Sequence, residues 1–224
     1  MTPVLLAWSG GKDAAWALHA LRQRADVEVV ALLSTITREY GRSSMQGVRM
    51  DVLQAQARAA GLPLLQASIP AQCDNARYET AMARTLQQAQ ARWPELRTAA
   101  FGDLFLTEIR NYRQQQLEAV GWSLLTPLFG SHTARLAREM LAGGLVADLC
   151  CVDTSRLDAK FSGRRFDADL LDELPNAVDP CGENGEFHTC VSAGPMFAQS
   201  IALERGDSVL RDGRFAYTDF TLRP

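Results

Sequence analysis

The sequence lacks the features that mark membrane, secreted or nucleic-acid-binding proteins. Its longest apolar runs fall well short of the roughly 20 residues that a membrane-spanning helix needs. No basic region precedes an apolar stretch at the N-terminus, which argues against a secretory signal. The formal net charge of −3 gives no electrostatic reason to expect a duplex-binding surface. We therefore expect a cytoplasmic protein with neither a membrane nor a nucleic acid as its partner.

The cysteines also lack the pattern of a structural framework. Their number is odd and no pair has C-x-x-C spacing, which argues against disulfides, a zinc knuckle and an iron–sulfur site. The sequence contains five of them: Cys73, Cys150, Cys151, Cys181 and Cys190. Cys150 and Cys151 lie in an apolar stretch and are expected to be buried as small hydrophobic residues.

Strand-like and helix-like stretches alternate from residue 3 to about residue 153. This alternation predicts an α/β fold with a Rossmann-like parallel sheet and helices on both faces. Residues 29–34 are expected to form the second strand, residues 35–47 a loop at its carboxyl end, and residues 145–152 the sixth strand of the sheet.

The remaining residues differ in character and predict a smaller C-terminal α+β module. A short helix is expected near Leu170, followed by β-like stretches separated by Gly-Asp or Asp-Gly turns. We therefore divide the chain into a parallel-sheet domain at residues 1–153 and a candidate substrate module at residues 154–224. The predicted strands of the module lie at residues 187–191, 199–204, 208–210 and 214–221.

The loop Ser9-Gly10-Gly11-Lys12-Asp13 joins the first apolar strand to the first helix. Two glycines allow a tight turn and close backbone approach to a ligand, and the helix N-terminus attracts anions. Ser9 adds a hydroxyl and Lys12 a cation, so the loop is predicted to cradle phosphate. The alternative is an ordinary strand-to-helix turn with a solvated lysine. The spacing is neither G-x-x-x-x-G-K-[ST] nor G-x-G-x-x-G.

A second polar stretch, residues 179–189, places two glutamates, an asparagine, a histidine and a threonine around two glycines. If a strand begins near Glu186, the two-residue period puts Glu186 and His188 on one face. The alternative is a hydrogen-bonded turn in which Asp179 and Asn184 bond to nearby backbone groups. Turn chemistry explains the aspartate, asparagine and glycines, but not two glutamates with a histidine.

The first loop resembles the S-G-G-x-D pyrophosphate loop of the ATP pyrophosphatases. The motifs S-G-G-K-D, G-D, P-L-F and D-P-C-G-E-N-G-E-F-H-T together resemble the diphthine–ammonia ligase-like family, and its bacterial branch in particular. This resemblance implies a pyrophosphate-loop domain of the adenine nucleotide α-hydrolase type. It also implies ATP, Mg²⁺, adenylation of a carboxylate and amide formation with ammonia or an amine, releasing AMP and pyrophosphate. The resemblance leaves open whether the substrate is a small molecule or a protein. It also leaves open whether the chain forms a homodimer.

The first, second and fourth strands are expected to end at one edge of the sheet, around a crevice that holds ATP. Lys12 would stabilise charge on the leaving pyrophosphate, and the C-terminal carboxylates and imidazole would deprotonate the incoming ammonium or amine. The expected ATP-binding residues are Ser9, Gly10, Gly11, Lys12, Asp13, Ser34, Gly102 and Asp103, with Asp13 and Asp103 near Mg²⁺. The expected catalytic residues are Lys12, Asp103, Glu183, Glu186 and His188. The expected substrate-binding residues are Arg49, Arg110, Asn184 and Thr189, the alternative for both arginines being a solvated surface charge.

Two other functions stay open from the sequence. An RNA-thiolating enzyme would share the ATP chemistry, but the chain lacks a cysteine pair to carry sulfur and a basic surface. A non-catalytic module that binds ATP would share only the loop. Release of pyrophosphate with candidate substrates separates a ligase from such a module.

Overall fold

A computed structural model describes residues 1–223, which form two β-sheets with helices around and between them. The strands are β1 (Thr2–Ala7), β2 (Val27–Thr37), β3 (Arg42–Ser43), β4 (Leu64–Ile69), β5 (Thr98–Ala100), β6 (Ser123–Leu125), β7 (Val146–Asp153), β8 (Phe187–Ala193), β9 (Leu203–Arg211) and β10 (Phe215–Leu222). The helices are α1 (Lys12–Arg22), α2 (Met50–Ala60), α3 (Asn75–Arg92), α4 (Thr107–Glu118), α5 (Thr133–Ala142) and α6 (Ala168–Glu173). No helix in this part of the chain is long and apolar enough to cross a membrane.

The first sheet has the predicted parallel, Rossmann-like arrangement. Strand β1 pairs with β2 on one side and with β5 on the other, β4 pairs with β2, and β6 pairs with β5. The chain thus winds outward from β1 in both directions, and the crevice between the ends of β1 and β5 is the topological switch point. The loops that carry Ser9–Asp13 and Gly102-Asp103 both begin at this crevice.

Alternating side chains of β1 bury both faces of this sheet. Val4 and Leu6 belong to a core cluster that includes residues of α1, α2 and α5. Leu5 belongs to a second cluster that includes Leu86 of α3 and Leu117 of α4. The expectation of helices on both faces is therefore confirmed.

Strand β2 is longer than predicted. It continues to Thr37 and pairs there with the short antiparallel strand β3. The polar composition of residues 35–47 predicted a loop, but main-chain pairing to β3 and β4 extends the strand through its first residues. The helix that follows ends as expected at Gly61, whose φ of 68° is the left-handed value favoured by glycine.

The second sheet is antiparallel, in the order β8-β7-β10-β9, and it corrects two expectations. The stretch at residues 145–152, expected as the sixth strand of the parallel sheet, is β7 and pairs with β8 and β10. A buried apolar strand has the same appearance in either sheet, so sequence alone did not separate them. The stretches predicted at 199–204 and 208–210 are replaced by one strand, β9, which begins only at Leu203; it pairs with β10 on both sides of the predicted turn, with a register shift at the turn itself. The division at residue 153 stays a prediction.

Helix α1 and the buried side chain of Gln56 join the two sheets. Helix α1 contacts β1, β2 and β8, and the main-chain N–H of Val191 donates to Gly10 O at 2.9 Å. Gln56 accepts from Trp8 Nε1 at 2.9 Å and donates to Gly10 O at 3.0 Å and Val191 O at 2.8 Å. One amide therefore satisfies buried groups from the first loop and from the second sheet.

A carboxylate from β10 makes the second connection between the sheets. Asp219 accepts hydrogen bonds from Arg49, the N-cap residue of α2, at 2.8 to 3.0 Å, and from Arg42 at 2.8 Å. Burial alone would raise the pKa of Asp219, but the two guanidinium groups hold it well below its usual range. Charge-assisted pairs of this geometry are among the stronger hydrogen bonds of proteins.

Replacing Asp219 with asparagine should lower the free energy of unfolding by about 1–2 kcal/mol at neutral pH, a value reduced for solvent screening of a partly exposed site. Because the folded-state pKa is depressed, this stabilisation exists above the unfolded-state pKa and is lost as pH falls through and below about 4. The difference between wild type and Asp219→Asn should thus shrink between about pH 6 and pH 3. Urea denaturation measures it, with exposed Asp207→Asn as the control; a difference constant with pH contradicts the prediction.

Candidate active site

The conformation of the first loop requires glycine at one position and favours it at the next. Gly10 has a φ of 82°, and a Cβ there would lie 2.8 Å from Leu53 Cδ2 and 2.9 Å from Gln56 Oε1. Gly11 is the N-cap of α1, and a Cβ there would lie 3.1 Å from Thr189 O of β8. The two glycines therefore let the loop pack directly against the C-terminal part of the chain.

Two main-chain N–H groups at the start of α1 bond to hydroxyl groups. Gly11 N donates to Ser9 Oγ at 3.2 Å, and Lys12 N donates to Thr189 Oγ1 at 3.0 Å. Thr189, predicted to bind substrate, is 2% exposed and caps this helix. Its hydroxyl oxygen accepts a hydrogen bond from one of the N–H groups to which an anion at the helix N-terminus would bind.

The side chain of Lys12 is buried rather than mobile and solvated. Its Nζ donates to both carboxylate oxygens of Asp13 at 2.9 Å and to the carbonyl oxygen of Cys181. It lies 5.9 Å from the ring centroid of Phe166 and 5.5 Å from that of Phe187. Burial alone would lower the pKa of Lys12, but the charge and hydrogen bonds of Asp13, together with Cys181 and Glu183, outweigh it and the pKa is raised. The solvated-lysine alternative is thus wrong, and the role of Lys12 at pyrophosphate stays a prediction.

Gly102 and Asp103 lie against the first turn of α1. A Cβ on Gly102 would be 2.7 Å from the main-chain carbon of Asp13, so only glycine permits this approach. Asp103 forms an ion pair with Arg113, whose Nε is 3.3 Å from Oδ2 and whose guanidinium covers Phe101 at 4.1 Å. Burial raises the pKa of Asp103, against the charge of Arg113.

Arg113 is a site residue that the sequence reasoning missed. It lies three residues after Arg110 on α4, so both side chains project from one face of that helix. Arg110 was singled out and its helical neighbour was not. Arg110 itself donates to Thr126 Oγ1 at 3.3 Å and lies 4.9 Å from the ring centroid of Phe129, at the rim of the crevice.

Glu183 brings the second polar stretch to the crevice. Its Oε1 accepts from the main-chain N–H of Leu104, the residue after Asp103, at 2.9 Å. Burial raises the pKa of Glu183 to about 7, and the carboxylates of Asp13 and Asp103 add to the rise. The Leu104 hydrogen bond and the charge of Lys12 oppose it. Glu183 is therefore a carboxylate that gains and loses a proton near neutral pH.

The stretch around Glu183 is also a hydrogen-bonded turn, as the alternative proposed. Asp179 Oδ1 accepts from the N–H groups of Cys181 at 2.9 Å and Glu183 at 3.2 Å. Glu186 Oε1 accepts from Asp179 N at 3.0 Å and Asn184 Nδ2 at 3.1 Å. Glu186 is 2% exposed, and its Oε2 has no hydrogen-bond partner among the described residues. These hydrogen bonds thus fix the conformation of the loop. The catalytic roles predicted for Glu183 and Glu186 stay predictions.

The imidazole of His188, expected from the sequence to help deprotonate the incoming ammonium or amine, has a shifted pKa. Burial, with the charge of Lys12, lowers the pKa of His188 to about 4. At neutral pH the imidazole is therefore uncharged and accepts or donates hydrogen bonds without titrating. The group in this stretch that titrates near neutrality is Glu183, which composition alone gave no reason to choose.

Two predicted ligand-binding residues are occupied elsewhere. Ser34 is 0% exposed, and its hydroxyl donates to Trp8 O at 2.5 Å, because β2 continues past it to Thr37. Its side chain is thus not available to a nucleotide in this structure. Arg49 is paired with Asp219, while its side chain is 39% exposed, and its role in anchoring an anion stays a prediction.

Two carboxylates at the crevice fit Mg²⁺ bound together with a nucleotide. Asp13 and Asp103 are close enough for the charge of Asp13 to raise the pKa of Asp103. Asp103 Oδ2 is buried and accepts no hydrogen bond within residues 1–223, although Arg113 Nε lies 3.3 Å from it in the ion pair. Mg²⁺ is usually bound by one or two carboxylates plus substrate phosphates. No cluster of three or more His, Cys, Asp or Glu residues within the described chain forms a dedicated metal site.

Lys12→Met should destabilise the fold while keeping the apolar stem against Phe166 and Phe187. It leaves Asp13 and Cys181 O without their cation, a change that costs about 3–5 kcal/mol for a fully buried pair. Because the Asp13 side chain is 29% exposed, we expect about 2–3 kcal/mol by urea denaturation. The control is Lys160→Met at an exposed site. Equal stability of both variants would show that the Lys12 bonds contribute nothing.

Glu183→Gln should change the pH dependence of stability. The folded-state pKa of Glu183, about 7, is higher than the ordinary carboxyl value of 4.5. The protonated carboxyl group therefore stabilises the fold below about pH 4.5, and this stabilisation is lost as pH rises to 7. Glutamine keeps an acceptor for Leu104 N and carries no charge. The variant should thus gain stability relative to wild type between about pH 5 and pH 8. Parallel curves for the two proteins would refute the raised pKa.

Comparison with known proteins places this site in a family. A family model described as diphthamide synthase N-terminal domain matches residues 2–122, and one described as diphthamide synthase C-terminal domain matches residues 132–215. The match over 215 residues to a diphthine–ammonia ligase of Schizosaccharomyces pombe (strain 972 / ATCC 24843) has 27% identity and covers 87% of this chain. It covers 35% of that relative, so the chain spans about a third of its length.

A solved structure, the U34-tRNA thiolase NcsA from Methanococcus maripaludis, is a distant neighbour. It is 14% identical and covers 63% of this chain and 57% of its own, with a TM-score of 0.38. A likeness at this level does not decide between functions. The family models together cover most strands of both sheets and both polar stretches of the site. The chain therefore belongs to the diphthamide synthase family.

Proposed function

We propose that the protein is an ATP-dependent ligase that joins a carboxylate substrate to ammonia or an amine and releases AMP and pyrophosphate. The observation that carries the proposal is the hydrogen bond from Leu104 N to Glu183, which holds a carboxyl group with a pKa of about 7 beside Asp103. Family membership and the name of the S. pombe relative support the same reaction. The acceptor, a small molecule or a protein, is defined only by its carboxylate.

In the first step a carboxylate oxygen attacks the α-phosphorus of ATP. The bond between that phosphorus and the bridging oxygen breaks, and pyrophosphate leaves with the electron pair. The substrate carboxylate is already ionised, so no general base is needed. The loop glycines and the α1 N-terminus would hold phosphate oxygens, and Arg110 at the rim would anchor an anionic substrate. Mg²⁺, held by Asp13 and Asp103, would supply charge neutralisation.

In the second step ammonia attacks the acyl carbon of the adenylate, and AMP leaves. Ammonium has no lone pair for this attack and must first lose a proton. Glu183 in its ionised form is placed to accept it, since a base is most effective when its pKa lies near the working pH. Neutral His188 and buried Glu186 would position the nitrogen donor, while the charge of Lys12 stabilises the anionic groups around it.

Glu183→Gln should separate the two steps. Exchange of labelled pyrophosphate into ATP, measured with a carboxylate substrate, should persist, because the first step needs no base. Amide formation from ammonium should fall at least about 10²-fold, the usual contribution of a general base. Hydroxylamine, which is uncharged at neutral pH, should restore product formation as the hydroxamate.

The control is Glu95→Gln, at an exposed position before β5. Equal loss of exchange and amide formation, or no rescue by hydroxylamine, would contradict the role of Glu183. ATP binding without pyrophosphate release for every carboxylate tested would instead indicate a nucleotide-binding module, and sulfur transfer to RNA a thiolating enzyme.

A further inference from the structure

A cavity of about 430 Å³ lies in the C-terminal sheet, apart from the crevice described above. Residues from β7, β8, β9 and β10 line it, including Asp148, Ser192, Leu203 and Phe220. None of the loop residues 9–13, and neither Asp103 nor Glu183, contributes to its wall. It is thus a separate space, and its size is in the lower part of the range of about 300–1,000 Å³ for small-molecule sites.

The charge in this cavity is unbalanced. Three arginines, Arg165, Arg205 and Arg223, line it together with a single carboxylate, Asp148. Arg165 Nε donates to Asp148 Oδ1 at 2.8 Å, and the aspartate side chain is 12% exposed. In residues 1–223 neither other arginine has a carboxylate within ion-pair distance, which leaves an excess of positive charge facing the space.

A second cavity of about 440 Å³ shows the contrast. It is lined by Arg42 and Arg49, but Asp219 binds both of them at 2.8 Å. Those two guanidinium groups share Asp219, and Asp51 also lines the space, so two carboxylates face two arginines. In the first cavity Asp148 pairs with Arg165 and also lies near enough to Arg205 for that arginine to lower its pKa, so one carboxylate faces three arginines.

The position of Arg205 is built into the fold by a glycine. Gly163 has a φ of 78°, and a Cβ there would lie 2.6 Å from Arg205 Cζ. The guanidinium therefore occupies the space that any other side chain at residue 163 would fill. Arg205 Nη2 also donates to Ser162 O at 3.4 Å, which leaves the remaining N–H groups of its fork for other acceptors.

A β-bulge supplies a hydroxyl group to the same wall. Strand β8 pairs Ala193 with Val146 and Val191 with Ala147, so Ser192 is the extra residue between them. Bulges redirect a side chain from the regular alternation and are frequent beside binding sites. Opposite the polar groups, Phe220 and Leu203 give the cavity an apolar part.

We propose that this cavity binds a small oxyanion, a phosphate or carboxylate group, carried on a partly apolar molecule. The guanidinium fork matches the geometry of such an anion. The hydroxyl of Ser192, which donates a long hydrogen bond of 3.4 Å to Val146 O, lines the same wall. The apolar wall takes the body of the ligand. This site is independent of the proposed ligase reaction, whose residues lie elsewhere.

Titration of ¹⁵N-labelled protein with sodium phosphate, at constant ionic strength set by sodium chloride, tests the proposal. The amide signals of Gly163 and Ser192 should shift and saturate. The double variant Arg205→Gln/Arg223→Gln should weaken this binding at least about tenfold, through the loss of charge-assisted hydrogen bonds. Arg211→Gln, which removes one positive charge at an exposed position of β9, should bind as wild type does and is the control matched in charge to Arg223→Gln alone.

Sodium butyrate and sodium acetate distinguish the sources of the anion. Saturation by butyrate at a lower concentration than by acetate or phosphate identifies a carboxylate on an apolar chain, and tighter phosphate binding identifies a phosphate. Shifts that never saturate, shifts confined to residues 9–12, or equal weakening in Arg211→Gln would each overturn the proposal. If the double variant does not fold, Arg223→Gln alone carries the comparison, because Arg223 is exposed.

Discussion

The buried ammonium group of Lys12 is the interaction on which the rest of the site depends. One of its bonds goes to the neighbouring Asp13 and another to the carbonyl of Cys181, far along the chain. The same helix end is capped by Thr189 of β8. A loop that binds phosphate in its own right would need only its glycines and helix N-terminus. Here the conformation of the loop is fixed from the C-terminal part, so neither sheet forms the site alone.

This dependence explains why the two polar stretches of the sequence belong to one crevice. Glu183 reaches Leu104, Cys181 reaches Lys12, and Val191 pairs with Gly10. The contacts join the carboxyl ends of β1 and β5 to the turn before β8. A sheet of parallel strands leaves its switch point open, and the antiparallel sheet closes it from one side. The family models, which match both parts of the chain, agree with a site that needs both.

The sequence was most informative where local pattern decides the structure. The alternation of apolar, strand-like stretches with helix-like stretches predicted the parallel sheet and the helices on both its faces, because these patterns act within a few residues. It failed for β7, since burial alone does not tell which sheet a strand joins. It also failed for Arg113 and for the charge of His188, because both depend on neighbours brought together only by the fold.

The separation of two pKa values is the clearest chemical consequence of that fold. Glu183 and His188 are five residues apart, yet burial shifts their pKa values in opposite directions, to about 7 and about 4. Burial disfavours whichever form is charged, so it keeps the imidazole neutral and makes the carboxyl group easier to protonate. In the proposed reaction this assigns proton acceptance to Glu183. With a pKa of about 7, about half of the Glu183 carboxyl groups are ionised at neutral pH, and in the proposed reaction that ionised form accepts the proton from ammonium.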